Sequence, residues 1–112
     1  MYSQTFKLFQ RAILERKQVT CTYSGHYREI CPHVLGHKDG EEKLLAFQFA
    51  GKTSTKLPPA GEWRCFKVMD IWDAATRDGR WYSGSQHRSA SKCVDEVYID
   101  VNTDVPNQPG RR

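Results

Sequence analysis

The sequence predicts a mainly β domain with one N-terminal helix, its short strands arranged as a small barrel. Three observations carry this. An apolar stripe of helical period occupies residues 3–17 and nothing else in the chain repeats it. From residue 19 onward the apolar residues alternate with polar ones. Turn dipeptides, Ser24-Gly25 and Asp39-Gly40, then separate the alternating runs at close spacing.

The helix comes first. Phe6, Phe9 and Ile13, with Ala12 beside them, share one face, while Lys7, Gln10, Arg11 and Glu15 fall elsewhere on the wheel. Ser3 or Thr5 can cap its start, and Arg16 and Lys17 sit where the helix dipole favours cations. No second helix follows after a short turn, which excludes a helix-turn-helix. The expected role is a helix packed over the mouth of the barrel.

Val19, Cys21 and Tyr23 alternate with Thr20 and Thr22 in a first strand, and residues 27–35 form a second. Period two places Arg28, Ile30, Pro32 and Val34 on one face of that second strand, and Tyr27, Glu29, Cys31, His33 and Leu35 on the other. Pro32 has no N–H for a ladder, so an edge or a bulge is expected there. Residues 43–50 make the third and most apolar strand. Leu45, Phe47 and Phe49 take one face; Leu44, Ala46 and Gln48 take the other. A polar, Pro-containing loop spans 51–61. Residues 63–73 read as a fourth strand with a candidate break near Asp70, and Trp81-Tyr82 as the start of a short return strand. The barrel with its helix occupies 1–84, a serine-rich linker 85–93, an extra strand 94–102 and a frayed tail 103–112. In the extra strand Val97, Ile99 and Val101 point one way.

Composition bounds the function. A chain of 112 residues with 38% hydrophobic and 27% charged residues is one ordinary domain. No run of about 18 apolar residues is present, so no membrane contact is expected. The N-terminal segment has no apolar run followed by small residues, so no secretory signal is expected and the cytoplasm is the expected compartment. In that setting Cys21, Cys31, Cys65 and Cys93, none in a C-x-x-C pair, read as buried thiols. Residues 1–92 hold 15 Lys/Arg against 9 Asp/Glu, a net +6, whereas residues 93–110 hold four acidic residues and no Lys or Arg. A basic body permits an anionic partner without demanding one.

No catalytic constellation emerges. Cys31 and His33 stand two apart, but no second Cys/His pair has ligand spacing, so no metal or cofactor is expected. No nucleophile sits at a strand-to-helix turn, and no Gly-rich phosphate loop occurs. The arginines say more. Arg28 shares a face with Ile30 and Val34, and Arg64 shares one with Phe66 and Val68. A cation facing a core must pair internally, here with Glu29, Glu62 or Asp70, or lie at a mouth where it meets an anion. In the second case Arg28, Arg64 and Lys67 bind phosphate, His33 and Gln48 orient the ligand, and Tyr23 and Trp63 flank it, with Tyr27 and Tyr82 as further stacking surfaces.

Over residues 12–83 the chain resembles the WYL domain, a small Sm/SH3-like β-barrel of bacterial transcription regulators. The resemblance lies in Ala12, Ile13 and Val19, in Tyr23 and Arg28, in Pro32-His33-x-Leu35-Gly36, in a Gly-x-x-x-Leu-Leu strand, and in Arg64, Phe66, Val68 and Ile71. Lys43-Leu44-Leu45 stands at the family's Trp-Tyr-Leu position, and Asp70 where the family has arginine. The resemblance implies a stand-alone, non-enzymatic ligand-sensing domain whose groove binds single-stranded nucleic acid or a nucleotide-like effector. A second expectation is a protein-interaction module, a homodimer built through the acidic strand at residues 95–104.

Overall fold

A computed structural model describes residues 2–53, 56–84 and 90–103. Helix α1 (Gln4–Glu15) leads into β1 (Gln18–Tyr23), β2 (His26–Lys38), β3 (Glu41–Gly51) and β4 (Glu62–Lys67). A 3-10 turn (Val68–Asp70) carries the chain into β5 (Ile71–Arg77); a short α2 (Ala90–Cys93) and β6 (Glu96–Asp100) follow. The fold is therefore mainly β with one N-terminal helix of any length. All ladders are antiparallel, in the order β4-β3-β2-β1-β5. No ladder joins β4 to β5 among the described residues.

Local chemistry explains the elements. Ser3 caps α1, its hydroxyl accepting the Phe6 N–H at 3.1 Å. Phe6, Phe9, Ala12 and Ile13 are completely buried, each large one worth about 1.5–3 kcal/mol of burial. Arg16 ends the helix in the left-handed conformation, φ 51°. Ser24-Gly25 and Asp39-Gly40 join paired residues Tyr23/His26 and Lys38/Glu41 with positive φ at both turn positions, the two-residue hairpin turn that matches strand twist.

Strand β2 organises the sheet. One edge pairs with β3 along its length; the other pairs first with β1, through residues 26–30, and then with β6, through Val34–His37. Pro32 falls at a bulge, where the β2–β3 register slips between Pro32 and Val34. The slip inverts the expected parity. Leu35 turns into the main core with Ile30, Leu44, Ala46 and Phe66 beneath α1, while Val34 joins Leu45, Cys93, Val94 and Trp63 on the far face. Both faces of β2 and β3 are thus covered, which is why these strands carry unbroken apolar runs.

Several expectations are corrected. The fourth strand ends at Lys67, because the 3-10 turn at Val68–Asp70 redirects the chain and β5 pairs with β1 instead. Trp81-Tyr82 begins no strand; Trp81 packs against the core as irregular chain. A second slip, between Leu35 and Gly36, leaves Val97 53% exposed while Ile99 and Val101 are buried. Residues 90–93 of the expected linker form a helical turn, residues 85–89 lie outside the described residues, and so does the tail from residue 104. Cys65 and Cys93 are joined in a disulfide, their Cα atoms 5.7 Å apart, and Cys65 is exposed on β4. Spacing in the sequence cannot reveal this pairing, since β6 and α2 reach β4 only through the tertiary fold. Cys21 and Cys31 are free and buried. Among the described residues no helix is long and apolar enough to cross a membrane.

Candidate anion-binding mouth

The two core-facing arginines approach one another at the hairpin end of the sheet. Arg28 sits on β2 opposite Cys21 of β1 and Gly51 of β3; Arg64 sits on β4 opposite Ala46. Since Leu44, Ala46 and Gln48 share one face of β3, alternation brings Gln48, Arg64 and Phe66 to the side on which Arg28 lies.

Arg28 is only 5% exposed. Its Nη1 donates to Gln48 Oε1 and its Nη2 to the Tyr23 carbonyl, both at 3.2 Å. The guanidinium carbon stands 5.4 Å from the Tyr23 ring centre and 5.8 Å from that of Phe66. Gln48 is fully buried and fixed, its amide donating to the Ala50 and Lys52 carbonyls at 3.1 and 3.2 Å. Among the described residues no carboxylate neutralises Arg28, and its Nε has no hydrogen-bond partner. Burial, and then the positive charge of Arg64, push the Arg28 pKa down.

Arg64 is the more accessible cation, with 23% of its side chain exposed. Its Nη2 stands 2.9 Å from Glu62 Oε2, an ion pair whose hydrogen is not aimed along the contact, since Nε and Nη2 both lack a hydrogen-bond acceptor. The internal pairing that the sequence allowed is therefore realised for Arg64 and not for Arg28. Among the described residues, Glu62 pairs with Arg64 and no carboxylate pairs with Arg28.

The remaining expected site residues divide. Tyr23 belongs to the mouth, but as a wall: its ring lies edge-on to Phe66 at 4.8 Å and its hydroxyl accepts the Lys67 N–H at 3.1 Å. Lys67 follows Phe66 on β4 and faces the opposite way, across from Lys43. Trp63 precedes Arg64 and is likewise turned from the mouth. It meets Phe47 at 5.2 Å and lines a separate pocket of about 300 Å³. His33 keeps company with Trp63: it is 1% exposed, its Nδ1 lies 2.7 Å from the Cys31 carbonyl, and Trp63 and Trp81 contact its ring at 4.7 and 4.9 Å. Of the seven residues, Arg28, Gln48, Arg64 and Tyr23 converge, and His33, Trp63 and Lys67 stand apart. Tyr82 stacks on Phe49 at 4.4 Å, so its face is covered too. Among the described residues the exposed rings are Trp72, 68% exposed, Tyr27, 47%, Tyr98, 42%, and Tyr2, 38%. Trp72 and Tyr27 stand in one cross-strand row, both opposite Thr22 of β1. Outward parity after Ile71 could have singled out Trp72 in the sequence.

Among the described residues no group of three or more Cys, His, Asp or Glu is placed to hold a metal. The Cys31 thiol instead accepts the Tyr82 N–H at 3.3 Å. No family model, curated protein or solved structure matches this chain.

Proposed function

We propose that the chain is a non-enzymatic, WYL-like regulatory domain that binds single-stranded nucleic acid or a nucleotide-like anion at the mouth formed by Arg28, Arg64, Gln48 and Tyr23. The observation that carries this reading is the charge left uncompensated among the described residues: a buried Arg28 with no carboxylate beside it, pressed by a second guanidinium that pairs with Glu62. A phosphate at Arg64 relieves the repulsion between the two cations. The accessible contact is Arg64; Arg28 stands behind it and holds Gln48 and the Tyr23 carbonyl in place. The motif resemblance of residues 12–83 to WYL domains supports the same class.

The test is binding of inorganic phosphate and of a fluorescein-labelled single strand of ten thymidines at low salt. The expected result is affinity that falls as salt rises, and falls a further ten-fold or so in Arg64→Ala, the loss of about one charged hydrogen bond. Folded protein that binds neither probe at low salt refutes the reading. A cytoplasmic setting belongs to it as well, and predicts that Cys65 and Cys93 are reduced in the cell; acid-quenched thiol labelling of fresh lysate reads this directly. The rival reading, self-association through the acidic strand, loses one of its edges, because β6 pairs with β2 of its own chain.

A further inference from the structure

The end of β2 farthest from the mouth carries the opposite charge. His37 lies nine residues beyond Arg28 on that strand, roughly 30 Å along an extended chain. The register sets Glu42 of β3 and Glu96 of β6 across from His37 on its two sides, so the three side chains share a face. The start of α1 closes over that row. Tyr2 stacks on Phe6 at 4.6 Å, and its ring lies 5.8 Å from His37 and 5.0 Å from Tyr98. Tyr2 and His37 line two clefts at once. One, of about 280 Å³, is completed by Glu96, Val97 and Tyr98; the other, of about 480 Å³, includes Glu41, Glu42 and Met69. Among the described residues no lysine or arginine lines either cleft. The carboxylates differ in what they already hold. Glu42 accepts the Ser3 N–H at 2.9 Å and the Ser3 hydroxyl at 2.5 Å, which offsets the positive start of the helix. Glu41 meets Lys43 only at 3.8 Å, a surface contact of little strength. Glu96 is exposed and has no ion pair among the described residues.

We infer that this end of the sheet is a docking surface for a basic peptide segment. One arginine of the segment enters the smaller cleft, over Tyr98 and against Glu96. A second basic side chain, two residues along, enters the wider cleft toward Glu41. The occupant follows from charge complementarity and spacing. Carboxylates without a lining cation select a cation and repel phosphate. A ring beside a carboxylate suits a guanidinium, which stacks on an aromatic face and pairs with an acid in its own plane. Glu42 and Glu96 flank one strand, so the acidic walls of the two clefts stand roughly 10 Å apart. A single small cation fills one cleft only. Alternate residues of an extended peptide lie about 6.6 Å apart on one side, and long basic side chains span the difference. Met69 and Val97, both exposed, offer apolar surface to the aliphatic stems of those side chains. The inference uses none of the mouth residues and stands whether or not the mouth binds an anion.

The test titrates the isotope-labelled full chain at low salt with the peptide acetyl-Arg-Ala-Arg-amide, and with acetyl-Gln-Ala-Gln-amide as an uncharged control, and follows the backbone amides by NMR. The dibasic peptide is expected to move the His37, Val97 and Tyr98 amides to saturation, and the control to leave them in place. Glu96→Gln is expected to weaken binding about five-fold, the upper range for an exposed ion pair. Tyr98→Leu is expected to weaken it about two- to five-fold through the lost ring face. Both positions are exposed, so circular dichroism should show an unchanged fold. An equal response to the control peptide, no movement of these amides in wild type, or full affinity in both variants overturns the inference. Movement of the same amides in Arg111→Ala/Arg112→Ala before any peptide is added, with wild type unresponsive to peptide, overturns it in favour of the chain's own C-terminal arginines. A dimer in sedimentation, with the same amides shifting on dilution and not with peptide, overturns it in favour of a second copy.

Discussion

Breaking the Cys65–Cys93 bridge should lower stability by an amount set by the loop it closes. The two cysteines are 28 residues apart. Chain entropy for a loop of that length gives about 3.6 kcal/mol of stabilisation through the unfolded state. A chain of 112 residues has an unfolding entropy of about 0.24 kcal/mol/K near its midpoint, so the bridge is worth about 15 °C in Tm. The clean perturbation is Cys65→Ser, because Cys65 is exposed and serine there costs nothing in packing. Cys93→Ser is the poorer choice: that sulfur lies among Val34, Leu45, Val94 and Trp63, where a hydroxyl adds a burial penalty of its own. Thermal unfolding followed by circular dichroism, with and without reductant, is the assay. Wild type without reductant should melt about 15 °C above both Cys65→Ser and reduced wild type, and the last two should coincide. Detachment of β6 alone is not an escape, since Ile99 and Val101 belong to the main core and leave it with the strand. Melting temperatures within 3 °C of each other in all three samples would refute the argument.

Other outcomes follow from the same structure. Arg28→Met removes an uncompensated cation but strands the buried Gln48 Oε1 and takes a donor from the Tyr23 carbonyl; with about 1–3 kcal/mol at stake for the buried acceptor, a net loss of about 1–3 kcal/mol is expected in urea unfolding, and an unchanged midpoint would show that this network holds nothing. Gly36→Ala places a Cβ 2.1 Å from the Glu96 carbonyl oxygen and 2.6 Å from Val94 Cγ1, so β6 must leave β2; a loss of at least about 2 kcal/mol and faster amide exchange at Val97 are expected. Burial pushes the Cys21 and Cys31 thiols from 9.0 up to about 11. Their pKa values are raised in the folded state, so the stability they confer is complete below pH 9 and is lost as pH climbs toward 11. The urea midpoint of wild type should fall more between pH 8 and 10.5 than that of Cys21→Ala/Cys31→Ala, and parallel falls would contradict the assigned burial.

The helix, its Ser3 cap, both two-residue hairpins and the faces of β3 are legible in the residues alone, because each depends on contacts within a few positions of the chain. So is the inward parity of Arg28, Gln48 and Arg64, which alternation alone determines. Long-range contacts decide the rest. The bulge between Pro32 and Val34 inverts the residues that follow it, sending Leu35 into the main core and Val34 to the far face. His33 stays on the side that alternation gives it, against Trp63 and Trp81 and away from Arg28. Trp63 and Lys67 fall away from the mouth for a simpler reason, since neighbours of Arg64 and Phe66 on a strand must face the other way. The 3-10 turn at Val68–Asp70 and the bridge between Cys65 and Cys93 join segments far apart in sequence, and no local pattern announces either. What the residues determined by themselves is α1, the first three strands with their hairpin turns, and which side chains face inward within each unbroken strand. What only the tertiary structure decided is where those strands slip, which cation keeps a carboxylate, and which aromatic rings are left facing water. Register, pairing and exposure all depend on neighbours supplied by other parts of the chain.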